Sequence, residues 1–269
     1  MESVVRAIPN EEFGVELVRD WIPEDKPRAI VVLVHGLAEH SGRYERTGSL
    51  LSDAGFQVRS FDLRGAGASG GRRWDIEDWN LYHDQIQAHV AWARAQEAPV
   101  VLMGHSMGGN LVLGYVLTPR PKPDLVVASA PALGGGAAWQ RTLAGVFAKL
   151  LPRLPVPNQL GGEQLSRDPR VAEAYFADPL VFTKSTPRLG AALFKAMDEV
   201  KANLDRLDVP ALVLHGGEDT IVPPKSTEVI EAIPGAERRV YTGLRHEILN
   251  EPEGPEIVAE IVEWISTRI

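Results

Sequence analysis

Ser106 sits at the centre of VVLMGHSMGGNLVLGYVL, residues 100–117, with Gly104 two places before it and Gly108 two places after. A serine hydroxyl is a weak nucleophile until a base takes its proton, and that base needs a third group to hold its tautomer. Two histidines follow Ser106, His215 and His246. His215 closes an apolar run and opens HGGEDTIVP, which suits a buried or loop-lining ring. His246 lies in GLRHEILNEPE, a loop just ahead of the last helical pattern, and is the better base. Asp219, in HGGEDTIVP, is the acid, with Glu218 as its neighbour and rival. Asp124 opens its apolar run instead of ending it, and so faces the wrong edge. Serine, acid, histidine is one of the chain orders in which this chemistry is built.

An oxyanion needs two donors. The residue after the nucleophile supplies one, here the N–H of Met107, and a loop after an early strand supplies the other. VVLVHGLAEHSGRY offers the N–H of Leu37, with Gly36 allowing a close turn. The remaining histidines read differently. His105 lies inside the turn, cannot fold back onto Ser106, and is expected to pack at a strand end. His83 and His89 are expected on the solvated face of a helix, and His40 in a loop. No H-x-x-x-H pattern or carboxylate cluster calls for a metal, and no cofactor is expected.

The elements that position these groups are legible as runs. Residues 29–35, 57–62, 99–105, 124–130, 210–216 and 238–243 are rich in valine and leucine, and four of them are apolar almost throughout. Such runs suit strands covered on both faces. Residues 77–94 and 255–268 carry apolar side chains at intervals of three and four, the pattern of helices. The alternation predicts an α/β fold, a mostly parallel central sheet with helices on both faces. In such sheets reactive groups lie beyond the carboxyl ends of the strands, where Ser106 falls. A serine in a strand–turn–helix elbow is strained, and β-carbons at 104 and 108 would collide with the turn. The helix behind it turns backbone N–H groups and a partial positive charge towards Ser106.

The alternation fails between residues 134 and 205, which open with Gly134-Gly135-Gly136, crowd prolines at 152, 155 and 157, and show no strand pattern. This segment reads as a mainly helical insertion over the sheet's edge. It divides the chain into 1–133, 134–205 and 206–269. Within it, Trp139, Leu143, Val146, Phe147, Leu150 and Leu151 form a broad apolar stripe that Pro152 ends. Packing against the core is its expected main duty; lining an acyl tunnel or touching a lipid surface are the functional readings.

Composition narrows the classes. The chain has 269 residues, 44% hydrophobic and 24% charged, enough for one large domain with an insertion. Its formal net charge of −8 argues against nucleic-acid binding, which needs clustered basic residues. The absence of cysteine removes disulfides and thiolate chemistry. Neither a signal-peptide pattern nor a run of ~20 apolar residues is present, so a cytoplasmic location is expected.

HGLAEHSGRY, FDLRGAGASGG, GHSMGG, HGGEDTIVP and HEILNEPE, spread over most of the chain outside 134–205, resemble the monoacylglycerol lipase and lysophospholipase-like group of serine α/β-hydrolases. LSRDPRVAEAYFADPLV, within the insertion, resembles that group's cap. One departure stands out: the group's Asp-x-Arg-Gly-His-Gly-x-Ser loop carries Ala66 in place of the histidine. The resemblance implies an α/β-hydrolase fold with 134–205 as cap, Ser106 as nucleophile, Asp219 as acid, His246 as base, and Leu37 and Met107 as oxyanion donors. It also implies Glu39 and Arg43 near the polar, glycerol-facing end. The implied reaction is ester hydrolysis of a monoacylglycerol, a small lipid substrate; the cap's apolar stripe adds transient contact with a membrane surface as an expectation. A lysophospholipase, a carboxylesterase or an acyltransferase would use the same residues. Outside enzymes, the alternative is a catalytically silent member acting as a ligand receptor. Acyl length and oligomeric state are not encoded in these motifs.

Overall fold

The computed structural model describes residues 2–158 and 161–269. The chain opens with a hairpin, β1 (Val4–Asn10) and β2 (Gly14–Trp21), then runs through β3 (Ala29–Val34), α1 (Glu45–Asp53), β4 (Phe56–Phe61), α2 (Asn80–Arg94), β5 (Val100–His105), α3 (Met107–Val116) and β6 (Leu125–Ser129). Four helices follow: α4 (Ala138–Leu150), α5 (Gly162–Leu165), α6 (Pro169–Ala177) and α7 (Pro187–Asn203). Two-residue strands β7 (Val156–Pro157) and β8 (Lys184–Ser185) pair between them. The chain then returns through β9 (Ala211–Gly216) and β10 (Ala236–Tyr241) to α8 (Gly254–Ser266).

The main sheet has eight strands in the order β1-β2-β4-β3-β5-β6-β9-β10. The pairs β1–β2 and β2–β4 are antiparallel and the rest parallel. Strands β3, β5, β6 and β9 are buried along their whole length, as their unbroken apolar runs require. Alternate residues face opposite cores. Val32, Leu102, Val126 and Val213 pack with Ile86 of α2, Leu111 of α3 and Val200 of α7. Leu33, Val101, Val127 and Leu212 pack with Leu51 of α1 and Ile257, Ile261 and Ile265 of α8. Parallel register sets Val34 beside Gly104, Gly104 beside Ala128, and Ala128 beside Val213. The loops after these strands therefore emerge along one edge.

Several expectations need correction. The hairpin was not legible as strands: β1 is exposed along nearly all its length and contains Pro9, so it lacks the apolar alternation of a half-buried strand. Its turn does carry a signal, since the Asn10 side chain accepts from the N–H groups of Glu12 and Phe13 and Gly14 has φ 92°. His83 and His89 are not solvated. Both are buried; His89 Nε2 meets Glu16 Oε1 at 2.9 Å, and its ring stacks on Phe61 at 3.8 Å. Residues 134–205 do contain strand, the short β7–β8 pair. The stripe on α4 does not pack into a core: α4 has no buried residue, and Trp139 and Leu150 are 64% and 71% exposed. Helix α7 is different, burying Leu189, Leu193, Met197 and Val200 in the core on the α3 side.

Candidate active site

Ser106 joins β5 to α3 with φ 54° and ψ −117°, a conformation that costs a non-glycine residue free energy and needs support. Backbone bonds give that support. Ser106 N–H donates to Ser129 O at 2.9 Å, and Ser106 O accepts from Asn110 N–H at 3.0 Å and Ala132 N–H at 2.9 Å. The glycines answer a geometric demand. A β-carbon at Gly104 would overlap the Gly108 carbonyl oxygen, and one at Gly108 would overlap the carbonyls of Val34 and His35. The collision at 108 is thus with the end of β3, not only within the turn.

His246 and Asp219 meet as expected: His246 Nδ1 donates to Asp219 Oδ2 at 2.7 Å, and both residues are buried. A carboxylate only accepts, so Nδ1 carries the proton and Nε2 is left as the basic atom. Asp219 Oδ1 accepts from the N–H groups of Ile221 at 2.8 Å and Val222 at 2.9 Å. Burial opposes ionisation of Asp219, yet His246, His215 and the backbone donor outweigh it and hold the carboxyl well below its usual range. For His246 burial favours the neutral ring, but the charge and hydrogen bond of Asp219, with Glu247 and Glu39, raise it above 6.5.

Ser106 and His246 line one cavity of about 360 Å³, together with Gly36, Leu37, Met107, Glu39 and Arg43. Among the described residues no hydrogen bond joins Ser106 Oγ to His246; such contacts often tighten only when substrate is bound. A β-carbon on Gly36 would stand 3.2 Å from Ser106 Cβ, so the loop after β3 closes directly over the serine. Met107 is the first residue of α3, and its N–H has no acceptor inside the helix. Glu39 and Arg43 reach the same cavity but engage protein partners: Arg43 Nη1 donates to Glu39 Oε2 at 2.8 Å. Burial would raise Glu39, but Arg43 leads the groups that bring it down to about 2. Glu218, the rival acid, is absent from the cavity wall, and its N–H donates to Leu244 O.

Two contributions went unread in the sequence: His215 is buried, as its run suggested, but its bond to Asp219 was not foreseen, and Glu247 was not singled out. His215, fully buried, places Nε2 3.1 Å from Asp219 Oδ2 and 2.9 Å from Val222 O. Both partners accept, so Nε2 is protonated and His215 serves Asp219 as a second donor. Its place four residues before Asp219 was the available signal. Glu247, directly after His246, binds Arg43 through both carboxylate oxygens. His105 behaves as read, meeting Ser129 Oγ at 3.2 Å, with burial as the main reason its ring is brought down to about 4. Ala66 is fully buried, and its loop is organised by Asp62, which accepts from the N–H groups of Ser41 and Ala68.

A second, mainly apolar cavity of about 540 Å³ adjoins the first, sharing Leu37, Gln140, Asn158, Leu193 and Phe194 and continuing along Trp139, Leu143 and Phe147 of α4.

A serine at a strained elbow, at the carboxyl edge of a largely parallel sheet with an aspartate–histidine pair on later loops, defines an α/β-hydrolase. The family described as "Serine aminopeptidase, S33" matches residues 25–253, and the chain belongs to that family of serine hydrolases. It is 34% identical to a monoacylglycerol lipase of Mycolicibacterium smegmatis, with 95% of each chain aligned. It is 31% identical to the protein named Phospholipase YtpA of Bacillus subtilis, over 87% of this chain and 93% of that one. A crystal structure of the Paleococcus ferrophilus monoacylglycerol lipase superposes with a TM-score of 0.84 at 33% identity, covering 100% of both chains.

Proposed function

We propose that the protein is a monoacylglycerol lipase, releasing a fatty acid and glycerol through an acyl-enzyme on Ser106. In this reading His246 Nε2 takes the proton from Ser106 Oγ as that oxygen attacks the ester carbonyl. Asp219 holds the imidazolium, and the N–H groups of Leu37 and Met107 receive the oxyanion. Glycerol leaves with the proton from His246. Water then attacks the acyl-serine by the same route and restores the hydroxyl. Glu39 and Arg43 form the polar wall on which the alcohol end would rest, and residues 134–205 act as a cap over the apolar channel.

The observation that carries the reading is the adjacency of the two cavities, which share Leu37, Gln140, Asn158, Leu193 and Phe194. The first holds Ser106 and His246 with the charged Glu39, Arg43 and Glu247 in its wall, and the second, more apolar, is lined by Trp139, Leu143 and Phe147 of α4. That pairing suits an ester with a small polar head and one acyl chain. It does not suit a free peptide amine. Among the described residues the only carboxylates on the polar wall are Glu39 and Glu247, and both are committed to Arg43. The exposed stripe of α4 supports transient contact with a lipid surface. Among the described residues no helix is long and apolar enough to cross a membrane.

The test is mass spectrometry of the products released from a series of monoacylglycerols, with Ser106→Ala as control. Fatty acid and glycerol from the native chain, and neither from the variant, are expected. Full hydrolysis by Ser106→Ala would refute the nucleophile. The 31% identity to a protein named as a phospholipase favours lysophospholipid as the second substrate class. Preferential release from lysophospholipid in the same assay would replace the first reading.

A further inference from the structure

We propose that Glu247 is a positioning residue that ties the His246 loop to the Gly36–Leu37 loop through Arg43 and Glu39 and sets the charge around the His246 ring. The inference rests on the assignment of Ser106 and His246 above. Arg43 donates from Nη1 to Glu247 Oε1 at 2.7 Å and from Nη2 to Glu247 Oε2 at 2.9 Å, a paired geometry that fixes direction as well as distance. The same Nη1 donates to Glu39 Oε2 at 2.8 Å. Glu39 Oε1 then accepts from Gly36 N–H at 2.6 Å and from Tyr44 Oη at 2.7 Å. A continuous line of hydrogen bonds thus runs from the residue next to the base to the residue next to the oxyanion donor Leu37. At its far end Glu247 Oε2 accepts from Asn250 Nδ2 at 2.8 Å, and Glu247 N–H donates to Leu165 O at 2.7 Å.

The side chains of Arg43, Glu39 and Glu247 are 9%, 5% and 6% exposed. Burying three charges is costly, and hydrophobic replacements of similar volume are often as stable. A core that needed only packing had no reason to hold them. Two carboxylates and one guanidinium leave the group one negative charge, close to a ring that must become positive during the reaction. Asp219 reaches His246 from the loop after β9, His105 faces it from β5, and the charge of Glu39 acts on it from the loop after β3, with Arg43 and Tyr44, from the turn before α1, bonded to Glu39. The loop of His246 itself adds Glu247. The His105 and His246 ring centroids are 4.7 Å apart, and Tyr175 of α6 covers the Arg43 guanidinium at 4.8 Å. His105, held neutral by burial, adds no charge; Glu247 and Glu39 add the negative field beyond Asp219.

The test is the pH dependence of kcat/KM in variants of this line. Glu247→Gln removes a negative charge, so His246 loses its proton more easily and the acid limb moves down by roughly 0.5–1 pH unit. Arg43→Gln leaves two facing carboxylates, and the limb moves up by a similar amount. Glu247→Asp keeps the charge but shortens the reach. Its limb stays in place while kcat falls about tenfold with little change in KM. Opposite shifts from two partners of one ion pair are not produced by lost packing. Limbs that stay at the native position in both Gln variants, or move in the same direction, overturn the proposal. If Arg43→Gln does not fold, the contrast between Glu247→Gln and Glu247→Asp carries the same decision. Labelling by a fluorophosphonate serine probe separates this failure from that of the reaction itself. A native chain that labels while no limb moves refutes only the role of Glu247. A native chain that does not label refutes the assignment of Ser106.

Discussion

The elbow at Ser106 and the helix α4 line two adjoining cavities and are built on opposite terms. At the elbow every backbone group of Ser106 is bonded, the flanking strand and helix are buried, and two positions accept only glycine. At α4 no residue is buried, and the apolar side chains meet solvent. The segment that includes α4 is held to the rest by the buried face of α7 and by polar contacts at its roots, not by α4 itself. Arg188 and Thr186 bind Asp75, and Ser166 and Arg167 bind Glu251. Chemistry demands fixed geometry, whereas admitting a flexible acyl chain demands an adaptable apolar surface. Substitutions should therefore divide by region: at the elbow into loss of the reaction, at α4 into altered delivery of substrate.

The largest effect expected is that of Ser106→Ala, a loss of roughly 10⁴–10⁶ in kcat, since the members of such a group act as a unit. The fold should survive it, because the bonds holding residue 106 are made by its backbone; thermal melting of the variant checks this. Asp219→Asn follows, at roughly 10⁴ in kcat, because the amide would favour the wrong tautomer of His246. The native pH profile sharpens the point. In the proposed mechanism the raised His246 must be neutral to act as base, so kcat/KM should fall as pH drops through a value above 6.5. Asp219, held well below its usual range, stays ionised throughout that window and adds no limb of its own. A midpoint below 6.5 would contradict the field ascribed to Asp219, Glu247 and Glu39.

The same division governs what could be read from the sequence. Strands β3, β5, β6 and β9 are apolar throughout because both faces are covered, and their spacing placed Ser106, Asp219 and His246 at one edge. Gly104 and Gly108 were legible because steric exclusion leaves no other residue type. The hairpin was missed because an exposed edge strand such as β1 needs no hydrophobic alternation. The surroundings of Asp62 and Glu39 lay hidden for a different cause: hydrogen bonds between residues distant in sequence leave no periodic trace. His89 shows the cost of that blindness, since a polar residue on a helix looks solvated until a partner such as Glu16 comes from a distant strand. The α4 stripe misled in the opposite sense. Its helical period was right, but periodicity reports an apolar face without saying what covers it.

That stripe supplies the middle of the scale. Trp139→Ser and Leu150→Ser remove two highly exposed apolar side chains, so the fold should lose little. Activity on monoacylglycerol dispersed in vesicles should fall several-fold, because in the proposed lipid contact each would contribute apolar area. Hydrolysis of a soluble short-chain ester by Leu150→Ser, whose side chain is not part of either cavity wall, should stay at the native rate. Equal losses on both substrates would show that the stripe supports the reaction centre directly, and the contrast between the two regions would collapse.

The smallest effect is expected where the 134–205 segment meets α8, and it tests how that segment is held. Arg167 donates to two carboxylates, Glu251 and Glu253. Glu251 is fully buried. Its Oε1 accepts from Arg245 N–H at 2.8 Å, and its Oε2 accepts from Ser166 Oγ at 2.9 Å and Arg167 N–H at 2.9 Å. Glu251→Gln turns an amide donor towards donors, leaves a buried polar group unpaired, and should cost about 2–4 kcal/mol. Glu253 is half-exposed at the start of α8, so water and salt screen its pair with Arg167. Glu253→Gln should leave the midpoint of thermal unfolding within about two degrees of the native value. A larger fall for Glu253→Gln than for Glu251→Gln would mean that surface charge, not the buried carboxylate, anchors the segment beside the His246 loop.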